Sequence, residues 1–105
     1  MGQKLYLIYD PNIVHEMTID EIIKVCADCG HSPVDPANYI PKYHPELWTP
    51  VDIEKVQYEA MSRCEGVVVC DNTEFSDNWL RCAERMQMDI YTVWNVKKWE
   101  RNIEI

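Results

Sequence analysis

Gly66-Val67-Val68-Val69-Cys70, closed by Asp71-Asn72, decides the fold. Its apolar residues follow one another without polar alternation, which marks a strand buried on both faces rather than one half-exposed. Outward from it, the chain alternates between strand and helix. Lys4 to Tyr9 is a second compact apolar run, ended by Asp10-Pro11-Asn12. Thr18 to Cys29 opens with Thr18 and Glu21 in capping-box spacing, sets Ile19, Ile22, Ile23, Cys26 and Ala27 at helical intervals and stops at Gly30. His31 to Asp35 is a short strand ended by Pro36. Thr49-Pro50 starts a helix running to about Cys64, with Val51, Ile53, Val56, Ala60 and Met61 expected to face inward. Ser76 to Met88 reads as a third helix, Ile90 to Trp94 as a fourth strand and Val96 to Ile103 as a closing helix.

Strands of this kind separated by helices require a parallel sheet covered on both sides. Right-handed crossovers then give the strand order 2-1-3-4. The expectation is a small flavodoxin-like, Rossmann-like α/β domain of three layers spanning residues 1–105, with a four-stranded parallel sheet. Residues 36–50 are broken by Pro36, Pro41, Pro45 and Pro50 and carry Tyr39, Tyr43, His44 and Trp48. They read as a long aromatic loop, functional or covering.

A net charge of −8, from 18 acidic and 10 basic residues, leaves no basic stripe for a nucleic-acid polymer and disfavours an anionic membrane. No apolar run approaches a bilayer span. Met1 leads into a strand-like run without a signal-peptide core, which sets the expectation of a cytoplasmic protein. Three glycines (Gly2, Gly30 and Gly66) are too few and too scattered for a phosphate-cradling loop. Five scattered cysteines do not make a disulfide framework. Cys26-Ala27-Asp28-Cys29 matches CxxC, but it closes a helix instead of opening one, and no second ligand pair follows for zinc. No metal and no cofactor are expected.

In a doubly wound sheet, ligands bind outside the carboxyl ends of the strands where the winding reverses. Here those ends carry Tyr9-Asp10, Asp35 and Asp71-Asn72, facing Ser76-Asp77-Asn78 at the start of the third helix. The candidate ligand-binding residues are therefore Tyr9, Asp10, Asp35, Asp71, Asn72, Ser76 and Asn78, with Tyr39 of the aromatic loop available to stack. Each has a structural alternative: Asp10, Asp35 and Asp71 are also ordinary turn formers, and any helix start favours a residue such as Ser76.

Leu5-Tyr6-Leu7-Ile8, then Gly30-His31-Ser32-Pro33-Val34-Asp35-Pro36, then Arg63-Cys64-Glu65-Gly66-Val67-Val68-Val69, then Ser76 and Met88-Asp89-Ile90-Tyr91-Thr92-Val93 occur in an order that resembles the nucleoside 2-deoxyribosyltransferase-like superfamily, in particular its small phage-type members. The resemblance covers about residues 4–94. It implies a pocket for a nucleoside or nucleotide, a homodimer or larger homo-oligomer, and a bacterial or phage-infected host cell. It also implies a helix glutamate that attacks the anomeric carbon, with an aspartate managing the proton on the departing base. Asp10-Pro11 stands where the family has Gly-Pro, and Ser76-Asp77-Asn78 lacks the family's glycine. The glutamate position itself falls on Cys82, and Glu84 lies two residues on, about 200° around a helix.

Glu84 and Asp71 are the carboxylates left for catalysis. The expectation is a nucleoside- or nucleotide-binding module without catalysis, possessing a sequestering or sensing role. The alternatives are an N-glycosidase or deoxyribosyltransferase using a displaced carboxylate, and a protein-interaction domain that kept only the fold. The tryptophans and Phe75 are many large groups for so small a core, which points to a subunit contact.

Overall fold

A computed structural model describes residues 2–13, 18–39 and 45–93. They build a four-stranded, all-parallel sheet in the order β2-β1-β3-β4, from β1 (Lys4–Ile8), β2 (Ser32–Val34), β3 (Gly66–Val69) and β4 (Asp89–Thr92). Helices α1 (Ile19–Asp28), α2 (Pro50–Ser62) and α3 (Glu74–Arg85) make the crossovers. This is the small flavodoxin-like arrangement that the strand pattern demands. The closing helix expected over Val96–Ile103 falls outside the described residues, as do Tyr43, His44 and Trp94.

Parallel pairing sets Leu5 opposite Gly66 and Ile8 opposite Val69, so the two central strands end together. Successive side chains point to opposite faces. Leu5, Leu7, Val68 and Cys70 pack with Ile22 and Cys26 of α1. Tyr6, Ile8, Val67 and Val69 pack with Ala60 and Met61 of α2 and Ala83 of α3. Two thin cores on either side of one sheet account for the unbroken apolar run of β3, whose four residues are all buried. Gly66 is required by proximity: a Cβ there would stand 2.8 Å from the Asp89 carbonyl oxygen and 2.9 Å from Leu5 Cδ2.

The helix ends follow local chemistry. Thr18 and Glu21 form the expected capping box, and Thr49 with Asp52 forms another at α2, with proline in its first turn. Helices α1 and α3 finish in the same way, with a left-handed residue reversing the chain into the next strand. At α1, Gly30 (φ +83°) and His31 donate N–H to the carbonyls of Ala27 and Cys26. At α3, Gln87 (φ +57°) and Met88 donate to Glu84 and Ala83. This double hydrogen bond is the Schellman closure, and glycine suits it best.

Three expectations shift. Helix α3 starts at Glu74 rather than Ser76, because Thr73 is the cap and accepts the Ser76 N–H on its hydroxyl. The 36–50 stretch is less irregular than its prolines suggest, since Pro36–Tyr39 and Pro45–Leu47 each wind into a 3-10 turn. The fourth strand begins one residue earlier, at Asp89.

Cys26 and Cys29 are buried at the end of α1, and burial pushes the Cys26 thiol up to about 11. The CxxC thus serves as packing at a helix terminus. No helix among the described residues is long and apolar enough to cross a membrane.

Candidate functional site at the carboxyl edge of the sheet

Where β1 and β3 end, the chain turns away in opposite directions, and Asp71 spans the divide. Its Oδ2 accepts the Asp10 N–H at 2.8 Å, while its Oδ1 accepts the Thr73 N–H at 3.1 Å and the Thr73 hydroxyl at 2.7 Å. The same carboxylate thereby ties two strand ends and orients the cap of α3. Asp10 Oδ1 accepts the Asn12 N–H at 2.9 Å, closing the turn after β1. Asp35 Oδ1 accepts both the Tyr9 hydroxyl at 2.7 Å and the Ala37 N–H at 3.0 Å. The three aspartates therefore gather at one edge as topology requires, with carboxylate oxygens engaged in turn and cap bonds. Both readings of these residues are realised at once: they are turn formers, and they rim the switch point.

Beside this rim lies a recess of about 70 Å³. Tyr6 and Ile8 of β1 floor it; Tyr9 and Pro11 form one side, Pro36 and Ala37 another, and Gln57 of α2 and Phe75 and Trp79 of α3 complete the wall. Trp79 packs on Tyr6 with ring centroids 6.1 Å apart at a 36° tilt. Gln57 donates from Nε2 to the Pro36 carbonyl at 3.3 Å, which holds the turn against α2 and leaves the amide oxygen and a second N–H for other partners. The phenols of Tyr6 and Tyr9 are raised well above the ordinary tyrosine range, both chiefly by burial, and Tyr9 additionally by its bond to Asp35. Both are neutral at physiological pH. Among the described residues, none of the lining side chains is a carboxylate, a thiol or an aliphatic hydroxyl.

The remaining candidates fall as follows. Asn72 and Asn78 are exposed next to the rim. Ser76 is completely buried in the first turn of α3, and its Oγ has no hydrogen-bond partner among the described residues. Tyr39 is part of a different hollow, further along α2. Glu84 is exposed in the last turn of α3, five residues beyond the nearer recess wall Trp79, which sets it about 7.5 Å further along the axis and about 140° around it. The helix carries it away from the recess. Cys82, at the resembled family's glutamate position, is half-buried and accepts an Arg85 Nη2 contact at 3.6 Å.

No family model, curated protein or solved structure matches this chain. The site's chemistry thus rests on its own geometry. Of the lining residues, Tyr9 is the one named as a candidate from the sequence, and Pro36 and Ala37 belong to the loop expected to cover the site; Gln57, Phe75 and Trp79 are additions of the structure. Phe75 lies in the first turn of α3 because the helix starts at Glu74, two residues before the start expected at Ser76. Trp79 carried the usable signal, a large aromatic one turn into the helix that faces the switch point. Gln57 gave none, because only the 3-10 turn at Pro36–Tyr39 brings it against the loop.

Among the described residues, no group of three or more His, Cys, Asp and Glu side chains is arranged to hold a metal ion.

Proposed function

We propose that this chain is a nucleoside-binding module that seats a planar base in the carboxyl-edge recess and does not turn it over. The observation that carries this reading is the recess itself, walled by aromatic and proline rings at the point where the winding reverses. Rings of Tyr9, Phe75 and Trp79 offer stacking faces, and Gln57 offers both an acceptor and a donor for a base edge. The rim of Asp10, Asp35 and Asp71, in a chain of net charge −8, favours hydroxyls over phosphates and hence a neutral nucleoside over a polyphosphate. At about 70 Å³ the recess takes the edge of one ring, well short of the roughly 300–1,000 Å³ that enclose a whole ligand. The sugar then lies across the acidic rim, and affinity is modest.

The resemblance to the deoxyribosyltransferase-like superfamily supports the same ligand class. Among the described lining residues none is a nucleophile, which favours a role in sequestering or sensing a nucleoside or nucleotide inside a cell, bacterial or phage-infected. Incubation with deoxynucleosides and a second base, followed by chromatography, tests the non-catalytic part: neither free base nor exchanged nucleoside accumulates. Base exchange that vanishes in Glu84→Ala would replace this reading with a transferase.

The module acts as a homodimer. Leu47 and Val51 are 75% and 58% exposed, Val51 contrary to the inward position expected for it because α2 buries its far end at Ala60 and Met61, and Tyr58 follows two turns after Val51 on the same side of α2. Light scattering of the wild type is expected to give the dimer mass, and the Leu47→Ser, Val51→Ser double variant is expected to run as a monomer. A wild-type monomer at micromolar concentration contradicts this part alone.

A further inference from the structure

We propose that the hollow between α2 and the β1–β2 edge is a second ligand site, for a small organic acid with an apolar body. It measures about 300 Å³, several times the carboxyl-edge recess, and reaches the size at which pockets begin to enclose a whole small molecule. Its floor is apolar, formed by Val34 of β2 with Val56 and Ala60 of α2, and the Tyr39 ring stands at its side.

Its charge runs against that of the chain. Lys4 and Arg63 both line the hollow, facing a single lining carboxylate, Glu59. Arg63 gives one Nη2–H to Glu59 at 2.6 Å, which leaves further guanidinium donors for a ligand. The Lys4 ammonium forms no ion pair among the described residues. Glu65, which accepts the Lys4 backbone N–H at 3.3 Å, lies next to the mouth without lining it. An acid group set between Lys4 and Arg63 neutralises the surplus, and an acyl chain or single ring covers Val34, Val56 and Ala60. An amine would meet two cations, and an alcohol would gain only the apolar contact.

The site is separate from the recess. The turn Pro36–Tyr39 stands between them, with Pro36 and Ala37 facing one hollow and Tyr39 the other, and the Gln57–Pro36 hydrogen bond closes the gap. Cys64 provides a built-in reporter. It lines the hollow half-buried, its thiol donates to the Ala60 carbonyl at 3.4 Å, and burial raises its pKa, so it reacts slowly and only where a reagent can enter.

Titration of the ¹⁵N-labelled chain with hexanoate, alongside hexan-1-ol and hexylamine, tests the proposal. Hexanoate is expected to shift the amides of Val34, Tyr39, Val56 and Cys64 saturably and to slow alkylation of Cys64 by N-ethylmaleimide, followed by peptide mass spectrometry. Hexan-1-ol and the Lys4→Met variant are expected to weaken binding by about tenfold. Lys4 is exposed, so this variant folds normally. Shifts absent from these amides, equal binding of the alcohol or the amine, or unchanged affinity in Lys4→Met would each overturn it.

Discussion

The Asp71 carboxylate and the Asp10 backbone N–H, 2.8 Å apart, lock the carboxyl ends of β1 and β3 together across the point where the winding reverses. Because the other Asp71 oxygen holds Thr73, loss of the carboxylate frees a strand end and a helix cap together. Asp71→Ala is expected to lower stability by about 2 to 3 kcal/mol in urea denaturation, since partly buried donors lose a charged acceptor. Asp71→Asn, which keeps one acceptor oxygen, is expected to cost about half as much. A change below about 0.5 kcal/mol in Asp71→Ala would show that the tie contributes little.

The matched ends of α1 and α3 allow an internal comparison. Gly30 and Gln87 occupy the same left-handed position, but only glycine does so without a Cβ penalty. Gln87→Gly is expected to raise stability by about 1 kcal/mol, and Gly30→Ala to lower it by a similar amount. Thermal unfolding of the two variants checks both signs, and a destabilised Gln87→Gly would contradict the strain argument.

Gly66 tests close packing at the start of β3. A methyl group there meets backbone at 2.8 Å and a buried leucine methyl at 2.9 Å, neither of which is the free end of a flexible chain. Gly66→Ala is expected to cost about 1 to 3 kcal/mol. A neutral result would mean that β3 and β4 separate more readily than their register implies.

His31 gives stability a pH dependence. The ring is buried, its Nδ1 accepts the Gln3 N–H at 3.1 Å, and it packs on Tyr91 with centroids 5.4 Å apart. Protonation would place a hydrogen on Nδ1 facing the Gln3 N–H, and burial already holds the pKa below the usual histidine value. Between the unfolded value near 6.5 and the lower folded value, the unfolded chain binds more protons. This contribution is therefore complete above about pH 6.5 and is lost as pH falls below it. Urea midpoints of the wild type and His31→Gln across this range check it. The wild-type curve is expected to drop more steeply, and parallel curves would contradict the assignment.

Much of this was legible in the sequence, for reasons that differ by element. The strand order follows from the uninterrupted apolar runs at Lys4–Ile8 and Gly66–Val69, which only a sheet covered on both faces can bury. The caps at Thr18 and Thr49 are local, and local signals survive folding. The start of α3 was harder to read, because Thr73 and Ser76 are both good caps and the contact that selects Thr73 comes from Asp71. The edge aspartates were placed together by topology alone. Their engagement in turn bonds depends on loop geometry that spacing does not encode. Tyr39 was expected at the switch point, but the 3-10 turn carries it to the neighbouring hollow.

The central claim is that a base sits in the recess between Tyr9, Ala37, Phe75 and Trp79. Its most direct measurement is an amide titration of the wild type and of Ala37→Leu, which fills the recess from an exposed wall, using deoxyadenosine, thymidine and their monophosphates. The account predicts saturable shifts confined to Tyr9, Ala37, Gln57, Phe75 and Trp79, stronger with nucleosides than with monophosphates and lost in Ala37→Leu. Absence of shifts at millimolar nucleoside, or shifts that persist unchanged in Ala37→Leu, would contradict it.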